Sequence, residues 1–249
     1  CCVEQQSPPT LSPPQTYVLA DNEEQLTSLT GEARKNGMAS LAGTTSQLVF
    51  FTGDKAYVAS AQQASRLLLD QSIPKCGFKL KDLTVSLLQM GISPGGMVWD
   101  PELMHYLINP ERNHRPSDLA IQYLNFFPEE KSGESRDLFD APAEDDPGLK
   151  NSLSEAFIAY QLKNPLLGVL LKDGYRDLYD KIEMPLMEVL AAMEYEGVRV
   201  DIPQLEAYGT ELSKTALETE KQIRDLAGDP TLNVSSPKQL GIVLFEKLK

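Results

Sequence analysis

Three apolar runs follow one another at hairpin spacing, over residues 38–42, 48–52 and 55–59, and they constrain the fold more than any other feature of the chain. The second and third are joined by Gly53-Asp54, a dipeptide suited to a tight turn, so the three read as a β-meander. Another apolar run at 16–20 comes first. It leads into a helical pattern capped by Asp21, with Leu26, Leu29 and Ala33 on one face and a stop at Gly37. Strand, helix, meander and then helices is the order of an α/β domain built on a mixed sheet. In such sheets chemistry gathers at the carboxyl ends of strands, which directs attention to Ala42-Gly43-Thr44-Thr45-Ser46. Nothing in that stretch ionises.

Downstream the spacing predicts a helix over 62–69, an extended segment over 73–76, and a helix with Leu80, Leu83, Leu87 and Met90 on one stripe, ended by Gly91. Asp100 and Pro101 open a further helix through Leu103, Tyr106, Leu107 and Ile108. Another starts at Ser117 with Leu119, Tyr123 and Leu124 inward. From Asn151 onward the pattern is almost continuously helical. Residues 153–171 are apolar on several sides, and Pro165 is predicted to kink or break that helix. A helix over 183–196 is stopped by Gly197, and a short strand is predicted at 198–200. A long amphipathic helix begins at Asp201 and Pro203 and carries Leu205, Tyr208, Leu212, Thr219, Ile223 and Leu226. The last helix is capped by Ser236, has Pro237 at its first position, and places Gln239 to reach back in a capping box.

Composition excludes several classes of function. The 249 residues are 41% hydrophobic, enough for one large or two small domains. No window approaches the roughly 18 consecutive apolar residues of a membrane helix, so no membrane association is expected. A formal charge of −13 argues against holding nucleic acid by bulk electrostatics, while leaving room for a local basic site. Much of the excess lies in Glu129, Glu130, Glu134, Asp137, Asp140, Glu144, Asp145 and Asp146, interleaved with proline, glycine and serine as in a solvated loop; the run lacks the ligand spacing of a calcium loop. Three cysteines make no disulfide framework, and Cys1-Cys2 lacks zinc-knuckle spacing, so a cytoplasmic setting is the expectation. Without an initiator methionine and with a proline-rich opening, residues 1–15 read as a linker within a longer protein.

Two blocks near the C-terminus carry a family resemblance. Ile182-Glu183-Met184-Pro185-Leu186 with Met193-Glu194-Tyr195-Glu196-Gly197-Val198-Arg199-Val200-Asp201 resembles the entry to the polymerase half of bacterial DNA polymerase I, the A family of DNA polymerases. Asn233-Val234-Ser235-Ser236-Pro237-Lys238-Gln239-Leu240-Gly241, running into Leu244-Phe245-Glu246-Lys247-Leu248, resembles that family's thumb. The resemblance implies that residues 16–181 fill the place of an RNase H-like 3′–5′ exonuclease domain and that 182–249 begin the polymerase domain. The palm and its catalytic aspartates are not in this sequence, so no polymerase chemistry is expected of it. Mg²⁺ and a DNA primer–template belong to the parent polymerase, which is expected to act as a monomer in replication and repair.

The family exonuclease holds two metal ions with four carboxylates, because paired divalent ions need several hard anionic oxygens. Carried across by that resemblance, the first-strand pair falls on Ala42 and Thr44, the middle-helix aspartate on Leu83, and the late aspartate on Gln161, with Phe157 in the place of a tyrosine. None of these can ligate a metal through a carboxylate. The domain is therefore read as a degenerate exonuclease that needs no cofactor and acts as scaffold, and Asn233, Ser235, Ser236 and Lys238 as thumb contacts to duplex DNA.

The competing reading is an active metal-dependent exonuclease that uses displaced carboxylates, Asp82 and Asp100. Asp82 lies one residue, about 100° of helix, from the Leu83 position and pairs more simply with Lys81. Asp100 is explained by capping. His105 and His114 show no partner at metal spacing and read as surface or loop residues, and Cys76 as a small buried one. A free-standing interaction domain is weakened by the two C-terminal blocks.

Overall fold

The computed structural model describes residues 11–128 and 146–247, and it divides into two compact units, 1–196 and 197–249. In the first unit, β1 (Tyr17–Leu19) is followed by α1 (Glu23–Lys35), then by β2 (Ala39–Thr44), β3 (Gln47–Phe51) and β4 (Ala56–Ala59). Then come α2 (Ser65–Leu69), β5 (Lys75–Cys76), α3 (Leu80–Gln89), β6 (Met97–Trp99) and α4 (Pro101–Ile108). The six strands form one mixed sheet in the order β1-β4-β3-β2-β5-β6. The meander is antiparallel, while β1 pairs with β4, β5 with β2, and β6 with β5, all in parallel.

Strand β6 was not expected from sequence. It is three residues long, too short to show alternation, and it exists through its pairing with β5, the carbonyl of Trp99 accepting from Gly77 N–H at 3.0 Å. Asn22, rather than Asp21, caps α1: its side chain accepts from Gln25 N–H, and the Gln25 amide oxygen accepts from Asp21 N–H.

Helix α5 (Pro116–Leu119) continues into a wider π-helical turn, Ala120–Leu124, and α6 (Pro147–Lys172) then crosses the sheet. Of the acidic run, residues 129–145 lie outside the described part, and Asp146 caps α6 by accepting from Gly148 N–H at 2.9 Å. Pro165 does not break α6, contrary to expectation. The helix is buried along its length by Leu153, Ala156, Phe157, Ile158, Leu162, Leu166 and Leu170, and that packing outweighs the one backbone bond the proline cannot donate.

Helices α7 (Arg176–Leu178) and α8 (Met184–Glu196) complete the unit. Helix α8 lies on α3, burying Met184, Met187 and Ala191 and pairing Glu194 with Lys81. Compactness thus places the seam after Glu196, whereas the resemblance begins the polymerase segment at 182.

The second unit holds α9 (Ile202–Ala227) and α10 (Pro237–Ile242), the latter extended by a π-helical turn, Val243–Lys247. Residues 198–200 are not a strand; among the described residues no strand pairs with them. Helix α9 is capped by Asp201 and stopped by Gly228 at φ 62°, and none of its residues is buried.

Candidate functional site

The carboxyl end of β2 is the natural place for chemistry in this sheet. Strand β5 pairs only with Ala39 and Ser40, so Leu41 to Thr44 hydrogen-bond on the β3 side alone. The β5 side is filled by the chain leaving β5, where a Cβ on Gly77 would come within 2.7 Å of the Leu41 carbonyl oxygen, so only glycine allows this approach. Two residues on, Lys79 begins α3 from a left-handed backbone conformation, φ 53° and ψ 43°, uncommon for a side chain with a Cβ. Helix α6 covers the same end from one face. Ser40 Oγ donates to the Ala156 carbonyl at 2.6 Å, and Ser152 Oγ stands 3.3 Å from where a Cβ on Gly43 would lie.

This end is walled by neutral groups. Ala42 is buried, Thr44 is exposed and shares a 3.0 Å hydrogen bond with Ser46, and Leu83 on α3 packs its side chain against the core. Phe157 is buried edge-to-face against Phe51 at 5.5 Å and Phe126 at 5.9 Å. Gln161 does not join them. At about 100° per residue it projects some 180° away from Ser152, off the strip of α6 that follows β2. That strip carries Ser152 and Ala156 toward β2 and Ala159 toward Cys76 of β5, and at about 100° per residue Glu155 falls about 60° from Ser152.

Sequence reasoning missed Glu155. It is half-buried, and burial raises its carboxyl above the usual range while Lys79 pulls it down and Glu102 pushes it up. Its signal was an acid within an otherwise apolar helical run. One carboxylate beside a lysine is not a two-metal centre, and among the described residues no three histidine, cysteine, aspartate or glutamate side chains converge. The residues present do not fit the paired metal ions that the fold family implies.

The displaced carboxylates lie apart in environment. Asp82 is exposed, 3.3 Å from Lys81. Asp100 is a buried cap for two helices: it accepts from Leu80 N–H of α3 at 2.9 Å and from Glu102 and Leu103 N–H of α4 at 2.9 and 3.3 Å. Its own N–H donates to Tyr179 Oη, which donates to the Val98 carbonyl. Burial pushes the Asp100 carboxyl up to about 7 against those N–H donors, which favour the charged form. Tyr179 also stacks on Trp99, whose ring faces Lys163 and Arg176 at 5.3 and 4.8 Å. Cys76 is buried and donates to the Ala159 carbonyl, and burial raises its thiol far out of the reactive range.

The histidines differ from the sequence expectation. His105 is fully buried on α4 and meets His114 Nδ1 to Nδ1 at 2.7 Å, because the chain reverses after α4 and returns His114 to it. His105 Nε2 has no hydrogen-bond partner among the described residues, and the ring lies edge-to-face against Tyr123 at 5.7 Å.

In the second unit the thumb-like loop is held by its own bonds. Asn233 Oδ1 accepts from Ser235 N–H at 3.0 Å, and Ser236 Oγ caps α10 by accepting from Gln239 N–H at 3.4 Å. The expected capping box is not closed. The Gln239 amide oxygen passes over Ser236 and accepts from Asn233 N–H at 2.9 Å, because Ser236 N–H is already taken by the Asn233 carbonyl. What remains outward is a row of exposed donors, Asn233 Nδ2, Ser235 Oγ and Lys238 Nζ.

The six-stranded mixed sheet with flanking helices is an RNase H-like 3′–5′ exonuclease fold, followed by a helical region. It is similar to the Escherichia coli exoribonuclease RNase D, with a TM-score of 0.57 at 16% identity over 74% of this chain and 52% of that one. The polymerase domain of Pol1 from M. smegmatis, solved with DNA primer–template and dNTP, aligns over 89% of this chain and 40% of its own, with a TM-score of 0.71 and 21% identity. In sequence, DNA polymerase I of Bacillus subtilis is 35% identical over 175 residues, 69% of this chain.

The chain is homologous to bacterial DNA polymerase I. It spans about a fifth of the length of the curated relatives it matches first. No protein-family model matches it. Among the described residues no helix is long and apolar enough to cross a membrane.

Proposed function

We propose that this chain is the exonuclease-fold and thumb-base portion of a bacterial DNA polymerase I, in which residues 16–181 are a non-catalytic scaffold and the segment from 182 begins the polymerase domain. The observation that carries the scaffold reading is the wall at the end of β2. By the family resemblance, Ala42, Thr44 and Leu83 stand where a two-metal exonuclease needs carboxylate oxygens, and they offer a methyl, a hydroxyl and an isobutyl group instead. Asp82 and Asp100 do not replace them: one faces solvent beside Lys81, and the other spends both oxygens on backbone amides.

The test is excision from a 3′-end-labelled oligonucleotide with Mg²⁺ or Mn²⁺. No shortening above a mock preparation is expected. Shortening that disappears in Asp82→Asn would overturn the scaffold reading, and circular dichroism of the variant shows whether it is folded.

The second half of the proposal concerns the loop 233–238 as a contact to the duplex backbone. Its internal bonds consume the Asn233 acceptor and leave amide, hydroxyl and ammonium donors outward, the set that suits phosphate oxygens. In the parent enzyme the partner is a primer–template duplex and Mg²⁺ serves the palm. The setting is cytoplasmic and the protein a monomer in replication and repair.

A further inference from the structure

We propose that the hydrogen bond between His105 and His114 is an acid-sensitive latch, which ties the chain reversal between α4 and α5 to α4 and releases it when the pair takes up one more proton. Its working is independent of any nuclease chemistry in this fold. The reversal, residues 109–115, is lightly held. Its backbone gives Asn109 N–H to the His105 carbonyl at 2.8 Å and Arg112 N–H to the Asn109 carbonyl at 3.3 Å. Pro110, Glu111, Arg112, Asn113 and Arg115 are exposed, and His114 alone among them is half-buried. Its Nδ1 lies 2.7 Å from Nδ1 of the fully buried His105, and its ring stands edge-to-face with Tyr106 at 5.8 Å.

Two nitrogens at that separation share one hydrogen, and burial decides which ring carries it. If His114 donated, His105 would hold its own hydrogen on Nε2, a buried donor with no partner among the described residues. If His105 donates, Nε2 is a bare acceptor instead, and a buried unpaired acceptor is tolerated better than a buried unpaired N–H. His105 is therefore the Nδ1–H tautomer, and His114 accepts on Nδ1 while its own hydrogen sits on Nε2. A second proton then has no good place. On His114 Nδ1 it meets the His105 hydrogen head-on, and on His105 Nε2 it makes a buried cation with an orphaned N–H. A hydrated histidine has no such restriction, so acid favours the released form.

The groups acting on His105 supply no counter-charge. The reversal brings Arg112, a like charge, while α4 brings Tyr106 to His114 and the π-helical turn brings Tyr123 to His105. Neither Glu102 of α4 nor Asp118 of α5 is among the groups that shift it, and Asp173 at the end of α6 acts on Tyr123 instead. Burial, then His114 and Arg112, hold the His105 titration below its ordinary value, as a closed latch requires.

The experiment is nitrogen-edited NMR of the histidine rings and the backbone in the full chain, between about pH 7.5 and about pH 5. At the upper end His105 should be the Nδ1–H tautomer and His114 the Nε2–H tautomer. The reverse assignment would overturn the proposal, because a second proton would then sit on His114 Nε2 without breaking the bond. On acidification the heteronuclear NOE of residues 111–115 should fall while that of β3 stays unchanged, and a reversal equally ordered at both ends of the range would also overturn it. His114→Asn sets an amide oxygen where Nδ1 stood and takes up no proton, so it should keep the reversal ordered to lower pH than the wild type. If this variant loosens at the same pH as the wild type, the histidine pair is not the latch.

Discussion

The end of β2 and the loop at 233–238 are held in opposite ways within the same chain. The first is packed: Ala42, Ser40 and Phe157 are buried, α6 lies along the strand, and the Ser40 hydroxyl is tied to the α6 backbone. The second is exposed: α9 buries nothing, and the polar atoms not used to shape the loop face outward. Packing can outlive chemistry, because a strand that loses its carboxylates still contributes its apolar area to the core. Donors on a surface loop have no such support, so their arrangement is more informative about function than the preservation of the sheet.

The sharpest way to break this contrast is to make the same kind of truncation in both regions. Phe157→Ala removes a buried ring that touches Phe51 and Phe126, and it should cost about 3–5 kcal/mol in chemical denaturation. Leu212→Ala on α9 should change stability by less than about 0.5 kcal/mol, since its side chain is half exposed and alanine favours helix. Similar losses at the two sites would mean that α9 is packed far more than its exposure indicates.

Asp100 tests how the scaffold is held. Asp100→Ala leaves three buried or part-buried N–H groups without their acceptor and should cost about 2–4 kcal/mol. The wild type also carries a pH signature. Burial raises this carboxyl to about 7, above its unfolded value near 4, so the folded state holds the proton more tightly. The resulting stabilisation is present in full below about pH 4 and is lost as pH rises through about 7. The Tm difference between wild type and Asp100→Asn should therefore shift in favour of the wild type at acidic pH. A difference that does not vary with pH would show that the three amides hold Asp100 ionised.

The histidine pair gives the opposite sign. Burial, then His114 and Arg112, lower the His105 titration below its ordinary value, so the folded state binds that proton more weakly than the unfolded chain. Its contribution is present above the unfolded value near 6.5 and lost as pH falls. His105→Phe should remove that acid-side loss from the pH dependence of unfolding. An unchanged acid limb would locate the sensitivity elsewhere.

How much of this was legible depended on whether the determining contacts were local. The meander, the caps at Asp100 and Ser236, and the apolar burial of 153–171 follow from spacing within one element or one turn. What failed depended on distant neighbours. Strand β6 needs β5 to be a strand, His105 needs the reversal that returns His114, and Gln239 bonds Asn233 because the turn had already used Ser236 N–H. The face of α6 is the instructive case. The helical face of α6 that meets β2 is set by the contacts of Ser152 with Gly43 and of Ser40 with Ala156, which no pattern along the chain reveals.

The smallest effect bears on the exposed half of the contrast. Lys238 has a single charge and no acidic partner among the described residues, and the loop shapes itself without it, so Lys238→Ala should leave Tm unchanged. Against a fluorescein-labelled primer–template duplex in low salt, the same substitution should weaken binding a few-fold. It should also reduce the slope of log affinity against log salt by about one, the signature of one lost phosphate contact. Asn233→Ala affects both functions of the loop, removing an outward donor and also the acceptor of Ser235 N–H, so it should lower affinity and loosen the turn together. Equal affinities and salt slopes for wild type and Lys238→Ala would place the duplex contact outside this loop, and the exposed donors would then be ordinary solvated groups.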